Sequence, residues 1–194
     1  MSWSELFYSV TLFLHVLSVL VLYIAIGLEW TMLQRIRQAS AVTQVREWLS
    51  IHGALDKVHA VVGPVILLSG LYMTLARWGI TTAWITISLI LLIVISILGP
   101  LINSRRLGAL ASAAQADSST TPSPALSRLI NDPVLFTSGT TMGMVGLGIV
   151  CLMVVKPNLI ASLAIIVVAA LLGLACSASS WRSRLHSTND RRQP

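Results

Sequence analysis

One histidine stands alone in a long uncharged run. The stretch Leu6–Leu33 reads LFYSVTLFLHVLSVLVLYIAIGLEWTML, is uncharged from Leu6 to Leu28, and places His15 near its middle. An imidazole there has three chemistries open to it: ligation of haem or metal, proton relay, or a hydrogen bond to a neighbouring side chain. A second group gathers where apolar runs end. Glu29 closes the first run, Asp56, Lys57 and His59 open the second, and Arg35 follows about two turns beyond Glu29. Antiparallel neighbours bring Glu29 level with Lys57 and His59. The expectation is an ion-pair latch or a polar site for an ion, a proton or a lipid head group.

Depth along the helices discriminates among the histidine readings. At 1.5 Å per residue, His15 lies ~13 Å below the outer end of its span. The level-matched polar residue on the second run is Ser69, with Tyr72 about one turn further out. A His15–Ser69 hydrogen bond is the expected arrangement, and haem b on His15 is the alternative. A second histidine cannot complete that haem. His59 is ~18 Å from His15 along the membrane normal, His52 falls in a loop, and His186 falls in the tail. His15 would act as sole protein ligand or with a methionine such as Met142 or Met144.

The sequence assigns no catalytic residue and no metal cluster. There is no HExxH, Walker or CxxC pattern. Ser138, Thr140 and Thr141 have no His and acid partners at matching depth. Cys151 and Cys176 lie in or at the edge of apolar runs and are read as small buried hydrophobes.

Composition names the solvent. The chain has 194 residues, 55% hydrophobic and 10% charged, against ~25% charged in ordinary soluble domains. Mean hydropathy is +0.82. The net charge of +6 is not a nucleic-acid signature, because the basic residues lie between apolar runs and at the C-terminus. They are read as topology signals and as contacts for anionic lipid head groups.

Five runs are long enough to cross a bilayer core, which takes ~20 residues: about 6–33, 58–76, 83–103, 133–155 and 159–178. The first is expected to be a retained span, since MSWSELFY lacks a basic leader region. If the runs alternate, 11 of 13 basic residues fall on one face. The positive-inside rule makes that face cytoplasmic, with the N-terminus outside and the C-terminus inside. Trp3, Trp30, Trp78, Trp84 and Trp181 lie at span ends, where indole prefers to sit.

Between the spans, residues 38–53 are read as an amphipathic segment on the inner membrane surface or as an extension of the first span. Val42, Val45, Trp48, Leu49 and His52 form its stripe, and Gly53 is its expected end. Residues 107–131, containing SSTTPSP, are read as a flexible loop, and 181–194 as a basic tail. Asp132-Pro133 is a capping signal for the fourth span. Gly63-Pro64 and Gly99-Pro100 are expected to bend their spans. Gly139 and Gly143, followed by Gly146 and Gly148, and Ala169, Gly173 and Ser177 form small-residue faces. Such faces suit close packing within the bundle or a homodimer.

Leu14-His15-Val16-Leu17 with Gly27, Ser69-Gly70, Gly99-Pro100 leading to Arg105-Arg106, and Val155-Lys156-Pro157 together resemble a known group. These are the bacterial predicted integral membrane proteins classed as a domain of unknown function, and the resemblance covers roughly 6–158. It implies a helical inner-membrane protein and brings no established activity. More distantly, the Leu-His pattern is similar to copper-resistance CopD-type membrane proteins and haem-linked membrane oxidases, with only His15 mapping onto it. The expected architecture is all-α, a polytopic five-span transmembrane bundle. The expected role is a non-enzymatic binding, transport-accessory or structural component of the bacterial cytoplasmic membrane. A haem-binding redox protein and a small dimeric permease are the alternatives.

Overall fold

A computed structural model describes residues 2–190, with side chains through residue 178. The described chain has no strand. Its helices are α1 (Trp3–Gln38), α2 (Val42–Leu49), α3 (His52–Met73), α4 (Ala83–Gly99), α5 (Arg105–Ala116), α6 (Pro124–Ile130), α7 (Pro133–Val155) and α8 (Leu159–Asp190). Short π-helical segments, Thr74–Trp78 and Pro100–Ser104, extend α3 and α4. Five stretches are long and apolar enough to cross a membrane, in agreement with the span count read from the sequence. Leu12, Leu20, Ile90, Val167 and many other large apolar side chains are exposed. This is the pattern of helices whose solvent is hydrocarbon.

α1 begins with a reciprocal cap. The Glu5 amide donates to Ser2 Oγ at 3.3 Å, and the Ser2 amide donates to Glu5 Oε2 at 3.0 Å. The helix then runs unbroken to Gln38, five residues beyond the apolar run. Its 36 residues make a rod of ~54 Å, longer than the ~30 Å hydrocarbon core. The excess leaves the bundle and enters a small lobe.

That lobe revises two expectations. The segment 38–53 is amphipathic, as its stripe predicts, and the apolar face of its helix is covered by protein. α2 packs inward, with Val42, Val45 and Leu49 buried against Met32 and Ile36 of α1, Leu107, Leu110 and Ala114 of α5, and Leu126 and Ile130 of α6. Gly53 sits in the first turn of α3 and ends nothing. The segment 107–131 is mostly helical, the loop proper being only 117–123. The physical reason is shared burial. Each short helix offers only a few apolar residues, too few to hold it alone, but the stripes close on one core.

Hydrogen bonds fasten the lobe. Arg46 donates through Nε to the Ala114 carbonyl at 2.7 Å, and through Nη2 to the Asp117 carbonyl at 2.7 Å. It thereby satisfies carbonyls that the end of α5 leaves open. The Asp117 carboxylate accepts from the Ser119 amide at 3.1 Å and the Ser123 amide at 3.0 Å, and from the Ser119 hydroxyl. Ser123 caps α6 and Asp132 caps α7, each followed by Pro at the first helical position.

Within the bundle, α7 and α8 form the closest hairpin, α1 pairs with α3, and α4 lies against α7. α3 continues through Pro64, whereas Pro100 opens a π segment. Cys151 and Cys176 are exposed rather than buried, because a small side chain on a lipid-facing surface needs no protein cover. At the end away from the lobe, Arg77 lies 4.3 Å from the Tyr8 ring centroid and Lys156 4.4 Å from that of Trp78. Trp78 in turn meets Trp84 edge to face at 5.6 Å. The side chains of the basic tail, 181–194, lie outside the described residues.

Candidate functional site

His15 is 5% exposed, the most enclosed titratable group in the spans whose exposure decides a chemical question. It sits between α1 and α3 with Nδ1 2.9 Å from Ser69 Oγ. The Ser69 hydroxyl also donates to the Val65 carbonyl one turn back. A hydroxyl has one proton, so against the imidazole Ser69 acts as acceptor and Nδ1 carries the hydrogen. Nε2 is then the lone-pair nitrogen. Gly70 makes the approach possible, since a Cβ there would lie 3.3 Å from His15 Cε1. Tyr72 is not part of this pair; its ring meets Phe7 edge to face at 5.2 Å.

The second group is arranged differently from the latch expected of it. Glu29 makes no hydrogen bond or ion pair to Lys57 or His59 among the described residues. Its charged neighbour is Asp56, a like charge. Asp56 pairs instead with His52 on its own helix, Oδ2 to Nε2 at 3.4 Å. His59 Nε2 is buried with no hydrogen-bond partner. Helix levels set these residues at one height, but rotation about each axis turned Glu29 elsewhere.

Glu29 faces a cleft of about 40 Å³ between α1, α7 and the π segment Pro100–Ser104. Trp30, Leu33, Asn103, Leu135 and Gly139 form most of the remaining wall. Asn103 accepts from the Ser138 hydroxyl at 2.5 Å. Trp30 stacks on Phe136 at 6.3 Å, and the Arg37 guanidinium lies 4.1 Å over the same ring. A carboxylate and a carboxamide thus line room for a water or a small ion, with the Ser138 hydroxyl holding the carboxamide. Asn103 was not singled out from the sequence. Its signal was a carboxamide three residues beyond Gly99-Pro100, close to the level of Glu29.

The small-residue faces divide. Gly173 meets Thr141, and Gly148 meets Ile166 and Ala169, which brings α7 and α8 together. Gly146 meets the Tyr23 hydroxyl and Gly143 approaches Ile26, both on α1. Gly139 has open space at its Cβ position and belongs to the cleft. Among the described residues, no three His, Cys, Asp or Glu side chains cluster as a metal site.

Residues 9–157 match the family described as predicted integral membrane protein (DUF2269). The chain belongs to this family. The DUF2269 region contains the His15–Ser69 pair and every wall of the Glu29 cleft, and ends at Pro157. α8, with Ala169 and Gly173, follows it. The family has no known function. No curated protein and no solved structure matches the chain.

Proposed function

We propose that this chain is a non-enzymatic binding or transport-accessory component of the bacterial cytoplasmic membrane, and that the cleft at Glu29 is its binding position. The observation that carries the reading is a carboxylate with no hydrogen-bond or ion-pair partner among the described residues, facing a cleft shared with Asn103 and Gly139. An intramembrane acid without a partner is costly and marks an ion or proton position. The lobe faces the cytoplasm in this reading. Arg35, Arg37, Arg46, Arg105, Arg106 and Arg128 lie at the lobe end, against Arg77 and Lys156 at the other.

The test is thermal melting of purified chain across alkali and alkaline-earth chlorides, with choline chloride as control. A ligand that binds only the folded state raises the midpoint with concentration. Stabilisation by one small cation, lost in Glu29→Gln, is the expected result. Equal responses of wild type and Glu29→Gln would remove the cleft from consideration.

A second reading is a haem-binding redox protein. What favours it is the His15 tautomer, which leaves Nε2 as the ligating nitrogen, with Nδ1–H held by Ser69 as ligating histidines commonly are. A Soret band in purified protein that vanishes in His15→Ala is its signature; a colourless preparation after haem addition ends it. The permease reading would need a homodimer. Such a dimer would have to use surfaces other than Gly146, Gly148 and Gly173, which pack within the chain.

A further inference from the structure

A wider cavity than the Glu29 cleft lies away from it, where the π segment Pro100–Ser104 passes into α5. It encloses about 370 Å³ between Leu101, Ile102, Arg105, Ala109 and the ion pair of Arg106 with Asp132. Its two ends differ in chemistry. Leu101 is exposed and continues the apolar surface of Ile97 and Leu98 on α4. One turn on, Arg105 is exposed and has no hydrogen bond or ion pair among the described residues.

Arg106 is held by Asp132, whose other oxygen caps α7 by accepting from the Val134 amide at 2.9 Å. Asp132 offsets one guanidinium and leaves the other unbalanced. The groove therefore presents hydrocarbon contact at the span end and one net positive charge just beyond it. That is the order of groups along a phospholipid leaving the acyl region.

We infer that this groove seats the phosphate of an anionic membrane phospholipid, with Arg105 as principal donor, Arg106 as second donor, and an acyl chain along Leu101 and Ile102. Guanidinium groups suit phosphate because the planar fork matches two of its oxygens. The single uncompensated cation matches a head group of net charge minus one. A zwitterionic head group brings its own cation and lacks that match. Inorganic phosphate shares the donor chemistry but makes no use of the apolar wall. The inference is independent of the Glu29 cleft.

The test is native mass spectrometry of the full chain in detergent with added phosphatidylglycerol, phosphatidylcholine or inorganic phosphate. Phosphatidylglycerol is retained over phosphatidylcholine, and Arg105→Gln lowers that retention about fivefold, the usual weight of one basic residue at an anionic surface. Lys57→Gln, an exposed basic site on α3 that does not line the groove, leaves it unchanged. Asp132→Asn keeps the α7 cap and releases Arg106, so retention rises; this variant carries the test if Arg105→Gln does not fold. Equal retention of the two lipids, no loss in Arg105→Gln, or no rise in Asp132→Asn overturns the proposal. Displacement of phosphatidylglycerol by millimolar phosphate reassigns the groove to a free anion and overturns the lipid.

Discussion

His15 Nδ1 and Ser69 Oγ meet at 2.9 Å, and the serine proton is already directed to the Val65 carbonyl. The bond therefore has a direction: imidazole donates, hydroxyl accepts. It joins α1 to α3 in a region where lipid supplies no hydrophobic drive between helices. Ser69→Ala removes the acceptor and leaves a buried N–H behind. Double-mutant cycling with His15→Phe, followed by thermal melts in detergent, is expected to give a coupling of about 0.5–2 kcal/mol. A coupling near zero would mean that the pair does not hold the helices together.

Gly173 and Gly139 offer a matched comparison. A Cβ on Gly173 would lie 2.6 Å from the Thr141 Cα, a backbone atom that cannot rotate away, whereas Gly139 has open space. Gly173→Ala must therefore push α7 and α8 apart, at a cost of ~1–3 kcal/mol. Gly139→Ala is expected to change stability by less than ~0.5 kcal/mol, or to stabilise slightly through helix propensity. Melting temperatures of the two variants decide it, and equal shifts would contradict the hairpin geometry.

Arg46 reaches across the lobe to three carbonyls at the end of α5, those of Ala114, Gln115 and Asp117. Arg46→Ala loses charge-assisted bonds to otherwise open acceptors, worth ~1–3 kcal/mol to the lobe. Lysine has no fork with which to reach all three, so Arg46→Lys recovers only part. Hydrogen exchange at the last turn of α5 is the readout. It speeds up in Arg46→Ala, while exchange in α7 and α8 stays as it was.

Asp117 makes the loop sensitive to acid. Hydrogen bonds from the Ser119 side chain first, then from Ser123 and the backbone amides, hold its carboxyl well below the ordinary 3.8. A folded-state value below the unfolded one means that the charged form favours the folded loop. That contribution is complete at neutral pH and declines as pH falls below the ordinary carboxylate value. Proteolysis between Ser118 and Pro124 by an acid-active protease accelerates toward low pH in wild type. Asp117→Asn flattens that dependence and is cut readily throughout; an unchanged profile would show that the carboxylate does not organise the loop.

How much of this was legible follows from what height along a helix can and cannot specify. The spans were readable because long uncharged runs have few other uses, and Asp132-Pro133 marked the start of α7 by its capping chemistry. Counting residues from the ends put His15 and Ser69 at one depth. The same counting put Glu29 beside Lys57 and His59, yet depth says nothing about rotation, and packing turned Glu29 toward Asn103. Asn103 was harder still. It follows Pro100 in a π segment, where the wider turn shifts the facing of every later residue. The stripe of Val42, Val45 and Leu49 is visible in the sequence, but its partners are not, because Leu107, Leu110, Leu126 and Ile130 are scattered among polar neighbours. None of those short stretches has a core until the others are present.

α1 is one uninterrupted rod whose far third is built into the lobe through Met32 and Ile36. Transmembrane helices answer a thinner bilayer by tilting. On a lever of ~54 Å, a tilt of ~10° swings the tip by ~9 Å. Lipid thickness is therefore expected to be geared to the position of the lobe. Spin labels at Trp3 and Gln38, measured in short-chain and long-chain bilayers, would read that gearing directly as a change in orientation at constant separation.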